Sequence, residues 1–337
     1  MKKSLLALAV LGAFAGVASA QSSVTLSGTI DVSGKYVKND NVEAVFSLAN
    51  SGINSSQLVF SGTEDLGGGL KAGFELNSGV NTDTGSAGGG TQIWNRRAIL
   101  RLMGGFGEIR LGRDYTPTFW NTTVFDPFGT NGAGSSLNIT NHVGEPTYVR
   151  SNNSVAYFTP DGIGGAYAWL MVAPGEGGPG KYVGGRVGFA AGPFDIAAAT
   201  ASQDVIAGGA TKFDFFNVAG SYDFGVAKLM FQYNNEQLKG LTVEKETRWL
   251  VGAVVPMGQG EIHASYSMTD ETTALNRDGS QFAVGYVYNL SKRTALYSTV
   301  SMISNKNNGA FAVGGGAATT ATGKNSSGGE VGMRHFF

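Results

Sequence analysis

The sequence contains no cysteine, only 8 prolines and 3 histidines in 337 residues, and a charged fraction of 15%. Each shortage excludes something. Without cysteine there is neither a disulfide framework nor a thiolate metal centre. The formal net charge is −1, or −3 once Lys2 and Lys3 are set aside, and no basic patch interrupts it, so nucleic acid is not expected as a partner. The histidines His142, His263 and His335 stand at no spacing that ties them to a serine and an acid, as a nucleophilic site requires. Glycine-rich Gly85 to Gly90 and Gly314 to Gly316 lie in polar stretches, without the strand-to-helix context of a phosphate cradle. No metal or cofactor is expected. Beyond the first twenty residues no stretch of about 18 apolar residues exists, which excludes a helical membrane protein.

What is present begins with a leader. Lys2 and Lys3 precede an apolar run from Leu5 to Val17 and then Ala18-Ser19-Ala20, the small-x-small pattern of a signal peptidase site. The expected division is 1–20 as signal peptide and 21–337 as a single domain. From Val24 onward the chain alternates with period two. Val24, Leu26, Ile30, Val32 and Tyr36 share one face of the first segment, and Thr25, Ser27, Thr29, Asp31, Ser33 and Lys35 share the other. Leu70 to Asn77, Ala227 to Asn234 and Glu261 to Met268 repeat this.

Seven tight connections recur, at Leu66 to Gly68, Gly104 to Phe106, Gly162 to Gly164, Ala191 to Pro193, Asp223 to Gly225, Pro256 to Gly260 and Leu290 to Lys292. Between them lie longer polar ones, among them Asn39 to Gly52, Gly79 to Thr91, Asp114 to Val149 and Asn305 to Ser327. Seven short turns and eight long loops join sixteen strands. The expected fold is all-β, a sixteen-stranded antiparallel transmembrane β-barrel with an inward-folded third loop. Closure follows from the solvent, since lipid offers no partner to an open strand edge. Tyr36, Trp94, Tyr157, Tyr222, Tyr233, Trp249 and Tyr288 fit interfacial girdles, although they are also ordinary strand formers.

A barrel this wide leaves an aqueous lumen that side chains do not fill. The candidate obstruction is the loop 114–149, in which Phe119, Trp120, Phe125, Phe128 and Leu137 would pack on the wall while Asp114, Asp126 and Glu145 face water. By strand parity Arg97, Arg101, Arg110, Arg150 and Arg248 face the lumen. Two readings of them stay open: they concentrate anions in a narrow pore, or they pair with carboxylates across the pore and stiffen the wall.

Four runs carry a resemblance: Gly62-Thr63-Glu64-Asp65-Leu66-Gly67-Gly68-Gly69-Leu70-Lys71-Ala72, Gly105-Phe106-Gly107-Glu108-Ile109-Arg110-Leu111-Gly112-Arg113-Asp114, Asn289-Leu290-Ser291-Lys292-Arg293-Thr294 and Val331-Gly332-Met333-Arg334-His335-Phe336-Phe337. Together they resemble the trimeric general porins of Gram-negative bacteria, particularly the β-proteobacterial branch. The resemblance implies a homotrimer in the outer-membrane lipid, passing small hydrophilic solutes and ions, with Phe337 as the terminal aromatic read by the barrel-assembly machinery. It also implies a constriction crowded with arginines, of which Arg97 and Arg150 match two. Gln57 stands at the third position, with Val59 in place of a glycine, which removes one charge from that set. The expected function is a passive diffusion channel with mild anion preference. A channel specific for small organic or aromatic acids, suggested by Phe119 and Trp120, is the alternative. A barrel enzyme and a closed structural or adhesive barrel are the remote ones.

Overall fold

The computed structural model of the protein describes residues 23–142, 145–240, 243–315 and 321–337, so the leader expected at 1–20 lies outside the described residues. The chain runs as β1 (Ser23–Asn39), β2 (Val45–Asn50), β3 (Gln57–Gly67), β4 (Leu70–Gly79), β5 (Arg97–Gly104) and β6 (Gly107–Tyr115). A short helix α1 (Pro117–Val124) opens the long third loop. Then follow β7 (Arg150–Phe158), β8 (Ala166–Ala173), β9 (Tyr182–Ala191), β10 (Phe194–Asp204), β11 (Lys212–Asp223), β12 (Lys228–Lys239), β13 (Glu244–Met257), β14 (Gly260–Glu271), β15 (Arg277–Asn289), β16 (Thr294–Asn307) and β17 (Ser326–Phe336). Apart from β2 and β3, which both pair with β1, each strand pairs antiparallel with its sequence neighbours, and β17 returns to β1 from Thr29↔Phe336 to Asn39↔Ser326, which closes the sheet. No edge is left for lipid to solvate.

Hydrogen bonding gives seventeen strands among the described residues, but β2 and β3 lie end to end along β1. Counted as the two halves of one staved position, they leave a wall of sixteen. The alternation has the polarity opposite to that of a soluble protein. Along β16, Leu296, Val300 and Met302 point outward, while Ala295, Tyr297, Thr299 and Ser301 are buried inside. The outer face is the one the membrane must wet, so its apolar residues stay exposed in the isolated chain. Tyr36, Tyr157, Tyr222, Trp249 and Tyr288 are among them.

The seven tight turns fall where the sequence placed them. The connections on the other rim are less uniform than expected. Residues 272–276 are a short link, and among the described residues only a few connections on that rim are long. The segment Asn39 to Gly52 is a correction: it is not a loop but a turn followed by β2, with Phe46 and Leu48 projecting outward. After Asn50 the strand breaks and 51–56 folds inward. The cause is Asp31, fully buried on β1, whose carboxylate accepts the N–H groups of Gly52 at 3.1 Å, Ile53 at 3.0 Å and Asn54 at 2.7 Å. A buried carboxylate needs such donors, and the unravelled backbone supplies them. The Tyr297 hydroxyl donates the fourth hydrogen bond at 2.5 Å.

Candidate functional site

Loop three crosses the barrel because the wall supplies partners for its backbone. Thr116 caps α1, its Oγ1 accepting from the N–H of Phe119, and Pro117 occupies the first turn, where a missing N–H costs nothing. The helix then lies on β9 to β11. Asn217 donates to the Thr118 carbonyl at 3.0 Å, Gln232 to the Thr122 carbonyl at 2.8 Å, and Asn121 to the Asn217 side chain at 2.9 Å. Farther along, Gln281 donates to the carbonyls of Gly134 and Ser135, and Glu330 accepts from the N–H of Ala133. These amides and carboxylates face inward on strands remote from the loop in sequence. They hold its irregular backbone at membrane depth, where an unsatisfied group would cost several kcal/mol.

The aromatic residues of the loop pack as expected. Phe119, Phe125 and Phe128 are buried, and Phe119 joins Tyr148, Phe213 and Phe215 in one cluster against the wall. Two of the three acidic residues do not face water. Asp114 is fully buried between Arg97, 2.7 Å away, and Arg110, 3.0 Å away. Asp126 is 4% exposed and turns back into its own loop, accepting from the N–H groups of Phe128 and Ser136. Burial pushes its carboxyl above the ordinary range against those two donors. Glu145 is half-buried in a cavity of about 410 Å3 that it lines with Arg113 and Arg150, and partial burial raises its carboxyl.

Arg248 is a further correction. It faces inward but is 1% exposed, sealed beneath loop three between Glu236 at 3.0 Å and Glu246 at 3.2 Å. Tyr148 donates to Glu236 at 3.0 Å, and Thr140 and Asn141 of the loop donate to Glu246. This cluster is a fastening of the loop rather than a lining of the pore. Arg97, Arg101 and Arg110 also face inward, yet each is committed to carboxylates: Arg97 to Glu75 and Asp114, Arg101 to Glu108, and Arg110 to Glu108 and Asp114.

What remains open is a cavity of about 510 Å3 between loop three and the wall. Arg96, Arg150, Tyr115, Trp120 and Gln57 border it on one side, and Asn54, Glu261, His263 and Arg334 on the other. Arg96 and Arg150 converge on one atom, the Tyr115 hydroxyl, at 2.5 and 2.8 Å. Among the described residues neither has a carboxylate within ion-pair distance, nor does Arg334, which donates to Asn54 at 3.1 Å. Burial lowers the Arg96 guanidinium, and the neighbouring Arg150 and Arg97 charges lower it further against the pull of Tyr115. It stays cationic at any working pH. Arg150, Trp120 and Gln57 were named from sequence. Arg96 and Arg334 are not among the residues that strand parity singles out: Arg96 precedes β5, where parity gives no direction, and Arg334 lies in the terminal run that carries the family resemblance. Gln57 accepts from Asn77 at 3.0 Å, a neutral contact in place of a charge. No metal-binding cluster exists among the described residues.

Comparison with known proteins agrees with this architecture. A family model described as Gram-negative porin matches residues 7–308. Outer membrane porin protein 32 of Delftia acidovorans is 38% identical over 356 residues, covering 100% of both chains. An outer membrane porin protein of Bordetella pertussis is 31% identical over 401 residues, again with 100% of each chain covered. Among solved structures, the anion-selective porin from Comamonas acidovorans superposes with a TM-score of 0.87 at 35% identity, covering 94% of this chain and 100% of that one. A closed barrel with a lumen narrowed by its third loop, matched over nearly its whole length by porin sequences and structures, identifies the chain as a member of the Gram-negative porin family, a channel protein of the outer membrane.

Proposed function

We propose that this porin is a passive channel for small hydrophilic solutes that prefers anions, and that its preference is set by Arg96, Arg150 and Arg334. The observation that carries the reading is the absence of any ion-paired carboxylate at these three guanidiniums among the described residues, while Arg97, Arg101, Arg110 and Arg248 are all neutralised. A paired arginine adds little field to the lumen, whereas an unpaired one bordered by low-dielectric walls raises the local anion concentration. The solved relative whose name includes anion selectivity supports the same direction. The paired arginines belong to the wall-stiffening role that parity alone left open.

In this reading the leader 1–20 is removed on export and three copies assemble in the outer membrane. Phe337 serves as the assembly signal: its backbone pairs with Gly28 in both directions at 3.1 Å, while the residue stays 44% exposed. Proteoliposome swelling tests the channel. Swelling in a small neutral sugar, faster still in a small organic anion of similar size, is expected. Failure to swell in either would point to a closed barrel.

A further inference from the structure

We propose that Glu261 and His263 form a proton-dependent counter-charge that sets how strongly this lumen prefers anions. The inference rests on the anion-preferring reading above and adds a specificity-determining pair to it. Both residues lie on the inner face of β14 and border the same cavity as Arg96, Arg150 and Arg334.

The argument is one of hydrogen-bond polarity. Nδ1 of His263 is 2.5 Å from the carbonyl oxygen of Pro127 in loop three, and Nε2 is 2.9 Å from a carboxylate oxygen of Glu261. A carbonyl only accepts, so Nδ1 carries a proton. An ionised carboxylate also only accepts, so the contact at Nε2 is attractive when that nitrogen carries one too. The geometry is that of an imidazolium bound to two acceptors. Loss of the second proton turns an Nε2 lone pair toward the Glu261 oxygen. The attraction then becomes repulsion, and a carboxylate that is 43% exposed is released into the cavity.

The other groups around the ring do not substitute for that proton. In loop three the Phe128 ring lies 5.8 Å away, and the Asp126 carboxylate is turned into its own N–H donors. The register partners of His263 on the flanking strands, Val254 and Gly285, are uncharged. On β17, Arg334 acts on Glu261 by charge but makes no ion pair within 4 Å among the described residues. With His263 protonated, the lumen carries the three arginine charges and a neutralised pair. With it neutral, Glu261 subtracts one. A unit charge roughly 10 Å from an ion in water alters its local concentration about two-fold, and screening at high salt erases this.

The test is the zero-current potential across a planar bilayer in a dilute KCl gradient, read at pH 5.5, 7 and 8.5. Wild type is expected to show about two-fold greater chloride preference at pH 5.5 than at 8.5. His263→Gln is expected to be flat across that range, and Glu261→Gln to exceed wild type at pH 8.5. His142→Gln is expected to keep the wild-type step, since that ring is buried within loop three and does not border the cavity. A wild-type potential independent of pH, or a step that survives in His263→Gln, would overturn the proposal. Cation preference at every pH with the step intact would instead overturn the anion-preferring reading and leave this pair as the source of the pH response.

Discussion

Arg97 and Arg150 point into the same lumen, but their surroundings give them opposite work. Arg97 lies 2.7 Å from a carboxylate with 0% exposure, so removing it strands the Asp114 charge between one remaining arginine and protein. Breaking a buried pair from one side costs about 3–5 kcal/mol. Arg97→Ala is therefore expected to lower the unfolding temperature of the barrel clearly, read by heat-modified mobility, whereas Arg150→Ala, which strands no carboxylate, is expected to lower the chloride preference in the zero-current potential with little change in unfolding temperature. Tyr115→Phe removes the acceptor shared by two guanidiniums, so both spread into the lumen; the expectation is a measurable fall in stability, of order 1.5–3 kcal/mol, with the anion preference kept. The inward direction of these arginines was legible from strand parity, but their pairing was not. Asp114 falls opposite Arg97 in the β5–β6 register that Ala98↔Arg113 sets, and lies four residues along β6 from Arg110, whereas the alternation within one strand reports a face and not a cross-strand partner. Gln57 shows the converse case, since its neutrality was plain from the sequence and its contact with Asn77 keeps it so.

Two elements narrow the barrel, and only one of them was legible. The third loop announces itself by length and by aromatic residues in an otherwise polar stretch. Its fastening by Glu236, Glu246 and Arg248 is contributed by β12 and β13, far away in sequence. Arg248→Met leaves two buried carboxylates facing each other across the strand pair, where Glu236 and Glu246 are in register. The loop end is then expected to detach, which single-channel recording would show as noisier and larger conductance; unchanged traces would mean the aromatic cluster holds the loop alone. The second element, the inward fold at 51–56, was hidden. Serine, glycine and asparagine there read as an ordinary surface loop, and the six residues of β2 are too few to outweigh them. Its cause, a carboxylate on a neighbouring strand, is tertiary. Asp31→Ala removes the acceptor for three backbone N–H groups and is expected to widen the lumen, again as higher unitary conductance. The two elements meet at Gly132, whose φ of +60° favours glycine and whose added Cβ would strike the Gly52 carbonyl. Gly132→Ala is expected to destabilise by more than about 1 kcal/mol, measured by urea unfolding.

At the scale of the whole molecule, the barrel separates two jobs that charged residues perform. Most inward charges are matched in pairs that hold the wall and the loop, and a small unmatched remainder gives the lumen its sign. This explains how a chain with a formal net charge of −1 can favour anions. The relevant quantity is the charge left over at the narrowest place, and composition does not report it. The closed sheet, the seven tight turns and the lumen were legible because period two and turn residues are local signals. The remainder was not, because it depends on which carboxylate reaches which guanidinium. An anion preference of this origin is expected to weaken as KCl rises from about 0.01 to 1 M, where the screening length drops from about 30 to 3 Å. The most direct measurement is the zero-current potential under a dilute KCl gradient for wild type, the double variant Arg96→Ala/Arg150→Ala and the paired-arginine control Arg101→Ala. The account predicts chloride preference in wild type, retained in the control and largely lost in the double variant. Equal loss in both variants, or a double variant that still favours chloride as strongly as wild type, would contradict it.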